Sequence, residues 1–197
     1  MVGMPDSERI AYAKSEMRFR VRAARRAVLP EQRVVASHAV TEKILALPEI
    51  VGARAVLAYG AMPEEIDATE LIKTLWKRGV RVALPRVRGR RDLQLHWHTP
   101  DCELCTGAYG LKEPCPEAPE ALPSEIDVVI VPGVAYDLEC RRLGLGAGYY
   151  DSLLAEMRGS AVTIGVAYDE QIASAVPCGD YDELVDVVIT PSRTARR

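Results

Sequence analysis

The chain has 197 residues, 48% of them hydrophobic, with 25 Lys and Arg against 28 Asp and Glu for a net charge of −3. That length and apolar content suffice to bury a core, and length favours one domain, 1–197, over two. The balanced charge gives no pull towards nucleic acid or an anionic membrane surface, and no apolar run reaches spanning length. The first thirty residues lack a signal-peptide core, and five irregularly spaced cysteines suit reduced thiols better than a disulfide framework. A cytoplasmic monomer is the expectation.

Residues 1–8 read as a frayed start. A helix is predicted from Ile10 to Val28, where Ala13, Met17, Val21, Ala24 and Val28 form one apolar stripe. Beside it runs a basic stripe of Lys14, Arg18, Arg22 and Arg25. Three readings stand: a solvated face, a nucleic-acid contact disfavoured by a single aromatic, Phe19, or a grip on the phosphates of a nucleotide. Leu29-Pro30-Glu31 opens a second helix that Pro48 stops near Leu47; His38 lies on it and is given no role.

A buried strand, Ala53 to Tyr59, a helix, Thr69 to Arg78, and a strand, Val80 to Leu84, make a strand–helix–strand unit of a parallel sheet. In such sheets ligands sit at the carboxyl ends of strands, which makes Tyr59–Glu65 a candidate pocket wall. Glu64 and Glu65 read equally as first-turn acids favoured by the helix dipole. Leu93 to Trp97 alternates as a strand. His96, His98, Cys102 and Cys105 around it are a partial zinc set, but the two histidines share a strand face and no second ligand pair follows. Gly107 to Pro114 leads into a surface loop marked by Pro116, Pro119 and Pro123, with Tyr109 as a half-buried anchor or a ligand contact.

The most informative stretch follows the apolar run Ile126–Val131: Pro132-Gly133-Val134-Ala135-Tyr136-Asp137, then Arg142-Leu143-Gly144-Leu145-Gly146-Ala147-Gly148-Tyr149-Tyr150-Asp151, leading into a helix to Met157. Three glycines at alternate positions expose backbone N–H groups, and a helix behind them aims its positive end at the same spot. The pattern is neither a Walker loop nor the dinucleotide fingerprint. It reads as an anion site, most naturally for phosphate, with Arg142 neutralising charge and Asp151 able to hold a divalent cation; a plain flexible turn is the competing reading. A strand from Ala161 to Ala167, a glutamine at Gln171, and a last strand, Val187 to Thr190, complete the chain before an arginine-rich tail expected to fray from Arg193. Asp182 and Asp186 precede that strand in an otherwise apolar stretch, where carboxylates usually face solvent.

Together these motifs resemble the 5-formyltetrahydrofolate cyclo-ligases, also called methenyltetrahydrofolate synthetases, over Lys14 to about Pro191. The dense part is P-G-x-x-[FY]-D followed by R-L-G-x-G-x-G-Y-Y-D, at Pro132–Asp137 and Arg142–Asp151. The resemblance implies a three-layer α/β/α fold with a mostly parallel, Rossmann-like sheet. It implies an ATP- and Mg2+-dependent conversion of 5-formyltetrahydrofolate to 5,10-methenyltetrahydrofolate, with ADP and phosphate released. Lys14, Arg18 and residues 142–150 (Arg142, Leu143, Gly144, Leu145, Gly146, Ala147, Gly148, Tyr149, Tyr150) would bind the nucleotide. Arg142 and Asp151 would be catalytic, Asp151 and Asp186 would hold the metal, and Gly60, Glu65, Tyr109 and Tyr150 would place the folate. Many relatives carry Arg or another large residue where Leu145 stands and Gly or Lys where Ala147 stands, so nucleotide affinity is the point of departure. A paralogue acting on another, possibly thiamine-related, substrate and a non-catalytic binding module are the alternatives.

Overall fold

The structure is a computed structural model and describes residues 5–107 and 110–197. Its helices are α1 (Asp6–Ala27), α2 (Pro30–Leu45), α3 (Pro48–Val51), α4 (Thr69–Lys77) and α5 (Tyr149–Glu156). The strands are β1 (Ala55–Leu57), β2 (Arg81–Gly89), β3 (Asp92–His98), β4 (Leu104–Thr106), β5 (Lys112–Pro114), β6 (Glu120–Ala121), β7 (Val128–Pro132), β8 (Ala135–Tyr136), β9 (Arg142–Leu143), β10 (Val162–Val166), β11 (Val187–Ile189) and β12 (Thr194–Arg196). Eight strands form one sheet in the order β12-β11-β10-β7-β1-β2-β3-β6, with β11, β10, β7, β1 and β2 parallel. Antiparallel β12 closes one edge, and β3 and β6 close the other. This is the mixed α/β class, with a large and mostly parallel central sheet, that the sequence pattern implies.

The topology places a crevice. From β1 the chain crosses through α4 to β2 on one side, whereas from β7 it crosses through α5 to β10 on the other. Because such crossovers are right-handed, opposite directions put α4 and α5 on opposite faces. The core divides accordingly. Val56, Val82, Ile130 and Ile164 pack with α2 and α4 on one face, while Leu57, Val129, Val131 and Val188 pack with Leu153, Leu154 and Met157 on the other. Chains leaving β1 and β7 in opposite directions open a gap between their carboxyl ends, which is where open α/β sheets bind ligands. Helix α1 walls this gap, burying Met17 and Val21 against Val134, Ala135 and Leu143 of the β8–β9 hairpin.

Several expectations are corrected. Pro48 stops α2 but also opens the single turn of α3, since proline suits a first helical position. The arginine-rich tail does not fray: Ala195 pairs with Val188, and Arg196 bonds Glu49 at 2.6 Å. Cys105 and Cys115 are joined in a disulfide across β4 and β5, contrary to the reduced-thiol expectation. This takes Cys105 out of the partial zinc set, and His96 Nδ1 is spent on the Ala118 carbonyl at 2.7 Å. Among the described residues no helix is long and apolar enough to cross a membrane.

One packing detail fixes the crevice floor. The Tyr136 side chain is fully buried and donates to the Val131 carbonyl at 2.6 Å. Its ring lies 2.7 Å from where a Cβ on Gly133 would stand and 2.4 Å from one on Gly165. Gly165, in the middle of β10, is therefore glycine because the tyrosine occupies its side-chain volume. Gly165→Ala is expected to destabilise the protein by roughly 1–3 kcal/mol through overpacking, read as a lowered urea midpoint. An unchanged midpoint would mean the ring is not fixed there.

Candidate active site

Two chain segments emerge beside each other at the switch point: Tyr59-Gly60 after β1 and Pro132-Gly133 after β7. They line a cavity of about 930 Å³ whose other walls are α1, the Arg142–Ser152 segment and Leu111–Glu113. The local structure of the Pro132–Asp137 motif explains why it is there. Asp137, wholly buried, accepts from the Glu139 and Arg141 amides at 3.0 Å each, from Arg141 Nε at 2.6 Å and from the Val176 amide at 2.7 Å. It thereby closes the turn in which Cys140 takes a left-handed φ of 62° and delivers Arg142 on β9 to the cavity. Gln171, also buried, donates to the carbonyls of Gly133 and Val134 at 2.9 Å each, pinning the other end of the motif. Both residues position the site without lining it.

Arg142 is 4% exposed and its guanidinium meets Asp151 Oδ1 at 2.5 Å. The Arg142 Nε is buried and has no partner among the described residues. A Cβ on Gly144 would lie 2.7 Å from the Arg142 guanidinium, so the first loop glycine is required by the arginine rather than by its own backbone angle. Gly146 and Gly148 do need the left-handed region, at φ 110° and 78°, and Gly148 leads straight into α5, whose N-terminus carries no side-chain cap. Bare amides and an uncapped helix start thus converge on the cavity. Arg18 donates from Nε to the Gly144 carbonyl at 2.9 Å and lies 3.5 Å from the Cβ position of Gly146. Burial lowers the Arg18 pKa from its ordinary value, opposed by Asp182 and Asp151. Lys14 is paired with Asp182 at 2.5 Å.

The structure brings Lys14, Arg18, Gly60, Glu65, Arg142, Asp151 and the whole 143–150 run to this one cavity. Tyr109 lies outside the described residues. Asp186 is not brought there. It precedes β11 at the amino edge of the sheet, where Oδ2 accepts from the Thr163 amide and hydroxyl at 2.9 and 2.8 Å and Oδ1 pairs with Arg197 at 2.8 Å. Its carboxylate ties β10 to the C-terminus, and the acids of this segment that do reach the cavity are Asp180, Asp182 and Glu183. Among the described residues no three His, Cys, Asp or Glu side chains group as a metal site. Sequence reasoning also missed Arg91, Lys112 and Glu113, which line the cavity from the β2–β3 turn and β5; nothing in its local sequence marks Arg91, whereas Lys112 and Glu113 fall in the Gly107–Pro114 stretch, in which the sequence points to Tyr109 alone.

On the side away from the glycine loop the cavity is lined with buried polar groups. Glu65 accepts from the Met62 amide at 3.1 Å and from the buried Arg25 at 3.4 Å. Gly60 is close-packed, with the Lys112 carbonyl 2.6 Å from its Cβ position. Tyr150 Oη is buried without a partner among the described residues, and burial pushes the Tyr150 pKa upward. Burial also raises the Glu65 carboxyl, against the lowering pull of the Met62 amide and Arg25. A carboxyl raised on folding stabilises the fold fully below its unfolded pKa and loses that contribution as pH climbs through the folded value. The stability of the parent protein relative to Glu65→Gln is therefore expected to be greatest in acid and to fall as pH rises above the ordinary glutamate range, about pH 4, followed by urea titration; a flat difference would contradict a desolvated Glu65.

Known proteins share this architecture. The 5-formyltetrahydrofolate cyclo-ligase family model matches residues 10–191. The chain is 33% identical over 178 residues to the 5-formyltetrahydrofolate cyclo-ligase of Escherichia coli, covering 88% of this chain and 97% of that one. It is 34% identical over 149 residues to the enzyme of the same name from Mycolicibacterium smegmatis, covering 73% and 76% of the two chains. The NMR structure of Aquifex aeolicus 5,10-methenyltetrahydrofolate synthetase superposes with a TM-score of 0.82 at 36% identity, covering 93% of this chain and 92% of that one.

Proposed function

The chain belongs to the 5-formyltetrahydrofolate cyclo-ligase family, and from that premise we infer that it converts 5-formyltetrahydrofolate to 5,10-methenyltetrahydrofolate in the cavity at the β1/β7 switch point. We further propose that ATP is the co-substrate and that Mg2+ assists. The single observation that carries the nucleotide assignment is the convergence of Arg142, Asp151 and the bare amides of Gly144–Gly148 on one wall of that cavity.

The chemical obstacle is the formyl oxygen, which in an amide-like group leaves poorly. In the proposed reaction that oxygen attacks the γ-phosphorus, the bond to ADP breaks, and the carbon that bears the phosphorylated oxygen is then attacked by N10 of the folate, which gives up its proton to solvent. Phosphate departs as the ring closes. Such a sequence needs no protein nucleophile. It needs two ligands held in line and charge stabilised on the transferring group. Lys14, Arg18 and Arg142 would neutralise phosphate oxygens, and the loop amides would bind them. Glu65 would accept paired N–H bonds from the pterin, a role suited to a carboxylate, with Gly60, Tyr109 and Tyr150 around the ring.

The residues present fit a magnesium ion only in part. Asp151 Oδ1 is held by Arg142 while Oδ2 takes no hydrogen bond among the described residues; both Asp182 oxygens are engaged by Lys14. One free carboxylate oxygen beside phosphate oxygens and water matches how Mg2+ is usually held, so Asp151 is the ligand proposed and Asp186 is not. When bound, the ion would offset charge on the phosphates. Asp151→Asn is expected to keep the fold at a lowered melting temperature, because buried Arg142 loses its charge partner, and to cut turnover on the order of a hundredfold or more when assayed well below that temperature. ATP hydrolysis coupled to the absorbance of the methenyl product reads this directly; parent-like rates in the variant would remove Asp151 from the chemistry. The same assay on the parent separates a ligase from a binding module.

A further inference from the structure

The cationic side chains on the cavity wall differ in whether their charge is already spent. Among the described residues, Lys14 is paired with Asp182, Arg142 with Asp151 and Arg158 with Glu183, while Arg18 bonds the Gly144 carbonyl. Arg91, like the cavity-lining Arg22 of α1, is exposed and has no side-chain hydrogen bond or ion pair with any described residue, and its side chain lies directly against the glycine loop. Its Nε is 3.0 Å and its Cδ 3.4 Å from where a Cβ on Gly148 would stand. A methyl group there would press on it.

The placement is costly in two ways. Arg91 sits in the β2–β3 turn at a left-handed φ of 58°, which a non-glycine residue adopts only at some expense. It also brings a guanidinium to the positive end of α5, whose first turn begins at Gly148 without a side-chain cap. Cation and helix N-terminus repel unless an anion lies between them. A second observation points to such an anion: Arg142 is almost wholly buried, lines the same wall, and keeps an Nε–H that no described residue accepts. Arg18 lies against Gly146 and Arg91 against Gly148, so that α1 and the β2–β3 hairpin flank the loop.

We propose that Arg91 is a phosphate-binding residue of this site, reaching the nucleotide's phosphates from the β2–β3 hairpin and supplying a cation that Leu145 and Ala147 within the loop do not. The inference rests on the nucleotide reading above. It makes the hairpin, otherwise an edge feature of the sheet, part of the active site, and it assigns specificity for polyphosphate over the bare nucleoside to a residue remote in sequence from the loop.

Calorimetric titration of ATP with magnesium present, on the parent and on Arg91→Ala, Arg91→Gln and Arg90→Ala, tests it. Arg91→Ala and Arg91→Gln are expected to bind ATP about tenfold or more weakly, the size of one lost charge-assisted contact, and to show a shallower loss of affinity with added salt. Arg90→Ala, one residue away and exposed, should behave like the parent, and 5-formyltetrahydrofolate affinity should hold within about twofold in all. Using two substitutions at 91, each checked for an unchanged melting temperature, keeps the result readable if one folds poorly. ATP affinity unchanged in both variants would overturn the role of Arg91 while leaving the nucleotide site standing. An equal loss in Arg90→Ala, or an equal loss for the folate, would overturn it as well, by showing a general charge or folding effect. A parent protein that takes up no ATP would overturn both this inference and the nucleotide reading beneath it.

Discussion

The ion pair between Arg142 and Asp151 joins the two halves of the glycine loop, and much else is arranged around it. The arginine is buried to the point where leaving it unpaired would cost several kcal/mol, so the loop must bring an acid to it across nine residues. That requirement accounts for Gly144, whose missing side chain is the guanidinium's space, and for the φ of 78° at Gly148 that turns the chain into α5 with Asp151 in its first turn. It also leaves Asp151 with one oxygen committed and one not, and Arg142 with a buried Nε–H that no described residue accepts. A pair that is only half satisfied by its own partner is suited to exchange some of its bonds with an incoming phosphate.

The loop can hold this geometry because the sheet beneath it is rigid at the right place. Opposite crossovers at β1 and β7 open the crevice, and Tyr136, wedged between Gly133 and Gly165, fills what would otherwise be a void under it. Asp137 and Gln171 then spend buried hydrogen bonds on fixing the segment between β7 and β9. Buried polar groups of this kind are expensive unless fully satisfied; Asp137 is satisfied by three backbone amides and the Arg141 guanidinium, and Gln171 by backbone. Among the described residues, Arg142 Nε, Tyr150 Oη and Glu113 Oε2 are buried without a hydrogen-bond partner and belong to residues that line the cavity, whereas Arg25 Nε, His96 Nε2 and His98 Nδ1 are likewise unpartnered but lie outside its lining.

Most of the fold was legible because its signals are local. The apolar stripe of α1, the continuous apolar runs of β1, β7 and β10, and the proline and glycine stops each report on their own segment, and the βαβ order then restricts the topology. The glycine loop was legible for the same reason, since its spacing and its flanking Arg142 and Asp151 lie within ten residues. What could not be read was long-range pairing. Asp182 and Asp186 look alike in sequence, but only the first reaches the cavity; the second is drawn to the opposite edge of the sheet by Thr163 and Arg197. Arg91 becomes a cavity residue through the antiparallel β2–β3 hairpin of the main sheet, and Glu113 through the separate β4–β5 hairpin. Cys105 and Cys115 pair because β4 and β5 form a hairpin that their spacing does not announce.

The central claim is that the Arg142–Asp151 pair opens to receive a nucleotide's phosphates while the folate occupies the same cavity. An experimental structure of the protein soaked with a non-hydrolysable ATP analogue, magnesium and 5-formyltetrahydrofolate tests it most directly. The account predicts phosphate density on the Gly144–Gly148 amides, a cation on Asp151, and the pterin near Glu65 with its formyl oxygen facing the terminal phosphate. An analogue bound elsewhere, or an Arg142–Asp151 pair left closed with no cation beside it, would contradict it.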